Sequence, residues 1–204
     1  MRPQVVTITS VVNDVDNVAV SQTADGDFTL DGALVTDGVA ILANAQLISL
    51  TAADDQSAID VTITGIDQDG CPISETIAGP NTNTVTTSLY FNKVLSVSSN
   101  AEITCSVGVS SAGGAISRTI TCNWRERQFK VGMGLVVGGT SSSDVEHTFD
   151  DINDKSATLT WFDTYGLTAI TASAESNIAF PCRGVRLHVN SWTSGDVTLT
   201  YIQA

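Results

Sequence analysis

The sequence predicts an all-β protein with an antiparallel β-sandwich or jelly-roll-like fold, arranged as two small β domains. Several segments alternate apolar and polar residues with the period of two that marks a half-buried strand. Turns rich in Gly, Asn and Asp separate these segments at intervals of roughly eight to twelve residues. Only 15% of the 204 residues are charged, and β-branched and hydroxyl residues suit the solvated faces of sheets.

The N-terminal part begins with a strand predicted from Gln4 to Val12, and an acidic turn follows at residues 13–17. Short strands are predicted at 39–42 and 46–51. Residues 33–45 are the best helix candidate in the chain, although Gly38 and the β-branched residues weaken it.

The most regular stretch of the chain predicts a β-meander. Residues 59–64 and 73–78 both alternate apolar with polar side chains. Between them, residues 67–70 predict a turn in which Gly70 adopts a positive φ. A long return strand is predicted from about Thr84 to Ser99.

The character of the chain changes near Trp124. Strands are predicted at 102–109 and 116–124, joined by a loop at 110–115 that is rich in Ser, Ala and Gly. A charged segment follows Trp124, and the Gly- and Ser-rich run at 136–143 predicts a flexible loop. We therefore place one domain at residues 1–124 and a second at 125–204.

The second domain is predicted to end in a C-terminal hairpin. Its predicted strands lie at 145–149, 156–162, 177–180, 184–190 and 196–202. The last two alternate cleanly, and Gly195 supplies the residue that the intervening turn requires.

The net charge of −13 argues against nucleic acid or an anionic membrane as the partner, because both need a basic surface. The charge is uneven, since no basic residue lies between Arg2 and Lys93. Four basic residues then fall close together, namely Arg118, Arg125, Arg127 and Lys130. They form either a solvated face or an attachment surface that meets an acidic partner or the acidic face of a neighbouring subunit.

Large aromatic residues concentrate in the second domain. Trp124, Trp161 and Trp192 are candidates for an attachment interface. In a lectin-like site, Trp161, Tyr165 or Trp192 could form a platform on which sugars stack. They could equally pack in the core or at a subunit interface, where aromatic rings supply much of the burial. Trp192 lies beside the predicted hairpin turn, where a side chain meets solvent, a ligand or a neighbour.

The motifs of catalysis and of metal binding are missing. No nucleophile elbow or P-loop occurs, and His147 and His188 lack metal-ligand spacing. A pair of catalytic carboxylates of the glycosidase kind stays an alternative, because such a pair is defined by its spacing in the fold and not in the sequence. Residues 67–70 resemble a truncated calcium loop but suit a turn better. Asp150, Asp151 and Asp154 form either a cation site or a solvated loop. We expect no catalytic, cofactor or metal residues, and no enzymatic activity.

The four cysteines also lack zinc spacing. Because the N-terminus lacks the apolar core of a signal peptide, we expect synthesis in a reducing cytoplasm and free thiols rather than disulfides. Cys105 and Cys122 lie in candidate neighbouring strands and could approach each other.

Three segments resemble structural proteins of tailed bacteriophages and prophages of the β-sandwich kind. FTLDGALVTDGVAIL, at 28–42, is similar to a family segment of the form TLNGALV–GGVA. Residues 46–98 contain ITGIDQDGCPISETIAGPNTNTV, similar to TGTDxxGNxxSETVxGPNAGTV. FPCRGVRLHVNSWTSGDVTLTYIQA, at 180–204, looks like PVRAIRLxVTSGTGTVTLTVIQ. The chain departs from the family at Cys71 and Trp192, and residues of about 110–145 lie outside the resemblance.

The resemblance implies a virion protein made in the host cytoplasm, and it carries over no catalytic or binding residue. The expected role is that of a capsid decoration or cement protein that binds the major capsid protein or another virion protein, with a trimer favoured. The alternatives are a tail or neck component, or a carbohydrate-binding module that contacts the host surface.

Overall fold

The structure is a computed structural model that describes residues 3–154 and 158–203. In chain order the strands are β1 (Gln4–Ile8), β2 (Asp14–Ala24), β3 (Val35–Thr36), β4 (Val39–Thr51), β5 (Asp60–Ile66), β6 (Pro72–Ala78), β7 (Thr84–Ser99), β8 (Ile103–Ile116), β9 (Ile120–Thr121), β10 (Val131–Val137), β11 (Thr140–Thr148), β12 (Phe162–Asp163), β13 (Ala174–Ile178), β14 (Gly184–Ser194) and β15 (Val197–Gln203). The described residues form antiparallel sheets and no helix, which confirms the predicted fold class.

The chain divides into two compact units. Unit 1 comprises Met1–Val11 and Gly114–Ala204, and unit 2 comprises Val12–Gly113. This division differs from the predicted boundary after Trp124. The reason is strand pairing: β1 pairs along its whole length with β15, from Gln4↔Tyr201 to Ile8↔Val197, so the first strand belongs with the last.

Unit 2 is built around β4, β7 and β5. Its strand order is β8-β4-β7-β5-β6, with β2 paired to β8 and β3 paired to β4. The buried core residues of unit 2 come from these strands. They include Ile48 of β4, Ile63 of β5 and Phe91 of β7, each 0% exposed.

The β5–β6 hairpin confirms the strongest local prediction. Its register runs from Asp60↔Ala78 to Ile66↔Pro72. In the turn, the Asp67 carboxylate accepts hydrogen bonds from the backbone N–H groups of Asp69 and Cys71 at 2.9 and 2.7 Å. Gly70 takes the predicted positive φ, at 82°.

The predicted meander is wrong in its strand order, because the return strand β7 does not pair with β6. β7 pairs with β5, from Val61↔Ser99 to Ile66↔Lys93, and β6 lies on the other side of β5. Burial explains this order: β5 alternates buried with half-buried residues, whereas β6 contains no buried residue and suits an edge.

Three further predictions in this region are wrong. The acidic turn at 13–17 is largely the start of β2, the helix candidate at 33–45 leads into β4, and the loop at 110–115 lies within β8. In β8, the run of Ser and Gly suits close packing, because most of the strand is buried. Local propensity gives way to burial at such positions.

Unit 1 is a β-sandwich. One sheet has the order β1-β15-β10-β13. In the other sheet, β14 pairs on one side with β11 and on the other side with β9 and the end of β8. β11 also pairs with β12. The core joins the two sheets: Leu135, Leu199 and Tyr201 come from the first, and Val145 and Leu187 from the second.

The predicted C-terminal hairpin is wrong. β14 pairs with β8, β9 and β11, whereas β15 pairs with β1 and β10, so the two strands lie in different sheets. Gly195 still turns the chain, with φ of 78°, but the chain crosses from one sheet to the other. The inward residues of both strands therefore face one core from opposite sides.

The run at 136–143 is likewise not a flexible loop. β10 extends to Val137 and β11 begins at Thr140, so only Gly138 and Gly139 connect them. Gly138 N–H donates to the Asp196 carbonyl at 2.8 Å, and a Cβ on Gly139 would lie 2.1 Å from the Ser194 carbonyl oxygen. The β10–β11 connection and the β14–β15 connection each cross from one sheet to the other, and they thus pack directly against each other.

Strand bounds elsewhere in unit 1 also differ from the predictions. Of the strand predicted at 156–162, Ser156 and Ala157 lie outside the described residues, and β12 is limited to Phe162–Asp163. Cys122 has a different neighbour from the predicted Cys105, because its Sγ lies 3.6 Å from that of Cys182. All four cysteines are free thiols. Within residues 3–154 and 158–203, no helix is long and apolar enough to span a membrane.

Candidate attachment surface

The residues predicted to attach the protein all belong to unit 1. Arg118, Trp124, Arg125, Arg127 and Lys130 are exposed, whereas Trp161 and Trp192 are half-buried. They do not form one cluster. Trp124 and Arg125 meet, and the remaining residues lie in separate contacts.

Trp124 is in contact with two guanidinium groups. It follows β9 in a turn, and the residue is 38% exposed. Arg125 and Arg183 place their Cζ atoms 4.7 and 4.8 Å from the ring centroid. At this distance a cation is attracted to the face of an indole ring. We call this group the Trp124 clamp.

Arg183 reaches the clamp from the start of β14. The N–H of Cys122 donates to the Arg183 carbonyl at 2.9 Å, which fixes the two segments side by side. The Arg183 guanidinium also pairs with the carboxylate of Asp151 at 2.8 Å, in a pair that remains 31% and 49% exposed. The clamp is therefore anchored on one side by the fold.

Three phenylalanines surround His147, which lies near the end of β11. Phe149, Phe162 and Phe180 are 49%, 47% and 46% exposed, while His147 is only 6% exposed. The ring centroids of Phe149 and Phe180 each lie 5.4 Å from that of His147, and that of Phe162 lies 6.0 Å away. We call Phe149, Phe162 and Phe180 the phenylalanine patch. Clustered exposed aromatic rings are unusual on a surface that only meets water.

Burial disfavours the charged form of the imidazole beneath the patch. Burial lowers the pKa of His147, and the nearby Asp163 carboxylate opposes this only in part. Nδ1 of His147 lies 3.1 Å from Oγ1 of Thr164, so the buried ring keeps a hydrogen-bond partner. The patch thus surrounds a hydrogen-bonded imidazole whose charged form is disfavoured.

The Trp124 clamp and the phenylalanine patch lie at the same end of β11 and β14. Arg183 follows Phe180 by three residues, and its N–H donates to the Thr148 carbonyl at 2.8 Å, directly before Phe149. The backbone segments that carry Arg183 and Phe149 are therefore neighbours. We call the combined set of Trp124, Arg125, Arg183, Phe149, Phe162 and Phe180 the aromatic–arginine surface.

Sequence reasoning found Trp124 and Arg125 but missed the other four members. Half of the six phenylalanines in the chain fall between residues 149 and 180, and all three lie at or next to strand ends. That enrichment was a usable signal. The meeting of the rings depends on β11 pairing with both β12 and β14, which no local pattern specifies.

Trp161 belongs to a buried polar network rather than to this surface. The Cζ atom of Arg186 lies 4.2 Å from the Trp161 ring centroid, and its Nε donates to the Glu146 carboxylate at 2.6 Å. Nδ1 of His188 lies 3.3 Å from the other oxygen of Glu146. The two side chains of the Arg186–Glu146 pair are each only 12% exposed.

The network controls the charge state of its carboxylates. Burial by itself would raise the pKa of Glu146, but the hydrogen bond from His188 and the charge of Arg186 outweigh it and the pKa falls. Burial raises the pKa of Asp163, with the negative charges of Asp144 and Glu146 adding to the effect.

Trp192 is fixed by its own turn. Its Nε1 donates to the Gly195 carbonyl at 2.7 Å, and its ring packs against the core of unit 1. Trp161 and Trp192 are thus engaged with Arg186 and with the core. Neither contact favours the sugar-stacking interpretation.

The other predicted basic residues are exposed. Arg118 places Nη2 3.5 Å from the Val5 carbonyl oxygen. Within the described residues, Arg127 and Lys130 form no ion pair, and they follow Trp124 by three and six residues. Both side chains are exposed.

The acidic residues weighed as a cation site take part in local hydrogen bonds. Asp150 accepts from the backbone N–H of Thr160, and Asp151 binds Arg183 and the backbone N–H of Asn153. In the part of the chain that the structure describes, no group of three or more His, Cys, Asp or Glu side chains is arranged to hold a metal ion.

Comparisons with known protein families, with curated proteins and with solved structures find no match to this chain.

Proposed function

We propose that this chain is a non-enzymatic structural protein of a bacteriophage virion, a capsid decoration or cement protein that attaches to the head through unit 1. The observation that carries the attachment is the aromatic–arginine surface. The virion context comes from the resemblance of three sequence segments to phage structural proteins.

The composition of the surface supports a protein partner. Trp, aromatic and Arg side chains dominate the binding energy of protein interfaces, where they sit in water-excluded centres. The three phenylalanines of the patch are nearly half exposed, so a partner would remove much apolar area from water. The Trp124 clamp adds guanidinium groups that can pair with carboxylates.

The distribution of charge supports attachment through unit 1. Unit 2 contains 13 acidic residues and one basic residue, a formal charge of −12, whereas unit 1 contains nine acidic and eight basic residues, a charge of −1. An acidic shell would repel unit 2 and accept unit 1. The strong negative charge of unit 2 would keep densely decorated particles soluble.

A cement role requires many weak contacts to act together. A decoration protein that occurs as a trimer presents several copies of one surface to neighbouring capsomers. Each engaged copy raises the effective concentration of the next, so modest single contacts give firm attachment. The expected partner is the major capsid protein.

Binding of purified protein to expanded capsids tests the proposal. We expect the protein to bind the shells and to raise their melting temperature. Replacing Phe149 and Phe180 by Ser should weaken binding at least tenfold, because each is placed to act as an interface anchor. Val136→Ser is the matched control, since Val136 is an apolar residue of similar exposure, at 55%, but lies in β10 of the sheet that does not contain His147. Absence of binding at micromolar protein would overturn the proposal.

The basic residues give a second variant with a different signature. Changing Arg125, Arg127 and Lys130 together to Ser should weaken attachment and reduce its salt dependence. Lys93→Ser in unit 2 is the control and should leave attachment unchanged. If the triple variant binds unchanged, these residues form a solvated face and not an attachment surface.

Labelling of particles separates the head from the tail and neck. Immunogold should cover the whole shell if the protein is cement, and a single vertex if it is a tail or neck component.

A glycan array tests the alternative of a carbohydrate-binding module. Its signals should vanish on Trp161→Ala or Trp192→Ala, whereas a blank array counts against that alternative.

A further inference from the structure

Cys122 and Cys182 form an isolated thiol pair in the core of unit 1. Their Sγ atoms lie 3.6 Å apart, and the residues are 2% and 1% exposed. They are 60 residues apart in sequence. Sequence spacing gave no indication of the pair, because the residues meet only through the pairing of β9 with β14.

The backbone around the pair is fixed on both sides. Thr121 is the register partner of Gly184, and the N–H of Cys122 donates to the Arg183 carbonyl at 2.9 Å. A disulfide has an S–S distance of about 2.05 Å, so the sulfur atoms need to approach by roughly 1.5 Å. Because the neighbouring backbone is paired, that approach would have to come from rotation of the two side chains.

The two thiols differ in acidity. The hydrogen bond from Cys182 lowers the pKa of Cys122 and outweighs the effect of burial, with Tyr201 adding to the lowering. The same interaction and burial raise the pKa of Cys182. Cys122 is therefore the more acidic thiol of the pair, and Cys182 is the less acidic one. This is the arrangement of an attacking thiol and a resolving thiol.

We propose that Cys122 and Cys182 are a disulfide-forming site that closes when the protein meets a small oxidant of the peroxide class. The Cys122 thiolate attacks one oxygen of hydrogen peroxide and becomes a sulfenic acid, with hydroxide as the leaving group. The Cys182 sulfur then attacks the sulfenic sulfur, the S–S bond forms, and its proton leaves with the hydroxyl as water. Together two thiols lose two electrons and two protons, and peroxide is reduced to two waters.

The disulfide would join the two segments that carry the Trp124 clamp. Trp124 follows Cys122 by two residues, and Arg183 follows Cys182 directly. A covalent bond at that point restricts the unfolded chain and holds the two segments together, so unit 1 becomes more stable. This inference is independent of the proposed virion function, since it depends only on the core of unit 1.

The test uses the full chain with Cys71→Ser, which removes the one thiol that is not buried. After treatment with hydrogen peroxide, intact mass in the absence of reductant should fall by about 2 Da. The free thiols titrated in denaturant should fall from three to one, and peptide mapping should find residues 122 and 182 cross-linked. The melting temperature should rise by roughly 5 °C or more and return after dithiothreitol.

A matched variant that adds Cys182→Ala should show no cross-link and no reversible rise in melting temperature. If that variant does not fold, the peptide map of the Cys71→Ser protein still decides the question. Three intact thiols after treatment, a mass gain of about 16 or 32 Da without a cross-link, or a bond involving Cys105 would each overturn the proposal.

Discussion

Glu146 binds two basic side chains at once, and it does so in a place that water hardly reaches. Arg186 and His188 approach its two carboxylate oxygens at 2.6 and 3.3 Å. The stack of Arg186 on Trp161 holds the guanidinium in position from the other side. The removal of one partner would leave a buried charge uncompensated, which costs more than the intact pair contributes.

We therefore predict that Glu146→Gln lowers the free energy of unfolding by about 3 kcal/mol. Urea denaturation monitored by tryptophan fluorescence would measure it. Asp151→Asn is the control, because its exposed pair with Arg183 should be worth at most about 1 kcal/mol. Equal effects of the two changes would contradict the role given to burial.

The same carboxylate should shape the acid limb of stability. The pKa of Glu146 lies below its ordinary value of 4.5 in the folded protein, so its stabilising contribution is present above that value and is lost as the pH falls through the lowered folded pKa. The loss of stability on acidification below pH 4.5 should be shallower in Glu146→Gln. Denaturation midpoints across this acid range would measure the difference, and identical slopes would contradict it.

At the scale of the element, strand β5 depends on a glycine in its interior. The β5–β7 register shifts between Thr64 and Gly65, and a Cβ on Gly65 would lie 2.1 Å from the Lys93 carbonyl oxygen and 2.7 Å from the Phe91 ring. The bulge therefore brings two backbones closer than any side chain allows.

Gly65→Ala should consequently destabilise the protein by about 2 kcal/mol or more, because backbone must move to admit the methyl group. Gly132→Ala is the matched control in another strand, where a Cβ meets nothing within 4 Å. That change should be neutral or slightly stabilising, by about 0.5 kcal/mol, since glycine weakens a strand. Thermal unfolding of both variants would compare them, and a tolerated Gly65→Ala would mean that the bulge can relax.

At the scale of the whole molecule, the negative charge is almost entirely a property of unit 2. Its formal charge of −12 contrasts with −1 for unit 1. Like charges on one compact unit repel one another, and salt screens that repulsion.

We predict that sodium chloride raises the stability of the protein while it weakens attachment. The urea midpoint should increase between about 0.02 and 0.5 M salt, where the screening length shortens severalfold. Binding to capsids should decrease over the same range. Sodium sulfate would be a poor choice, since it stabilises proteins by exclusion from their surface. A midpoint that is flat or falls with salt would contradict the account of unit 2.

The sequence by itself determined the fold class, most strands of unit 2 and the β5–β6 hairpin with its Asp67 to Gly70 turn. These features are local, because alternation sets a strand and a positive-φ glycine sets a turn. The sequence also placed Trp124 and Arg125 side by side, and the structure brings their side chains into contact.

Only the tertiary structure decided which strands are neighbours. Val185, Leu187 and Val189 alternate in β14 as Val197, Leu199 and Tyr201 do in β15. This pattern fits both a hairpin within one sheet and two strands that face each other across a core. The pairing of β15 with β1 and β10 selected the second arrangement. The phenylalanine patch, Arg183 in the clamp and the Cys122–Cys182 pair arise from such long-range pairings, which a period of two cannot encode.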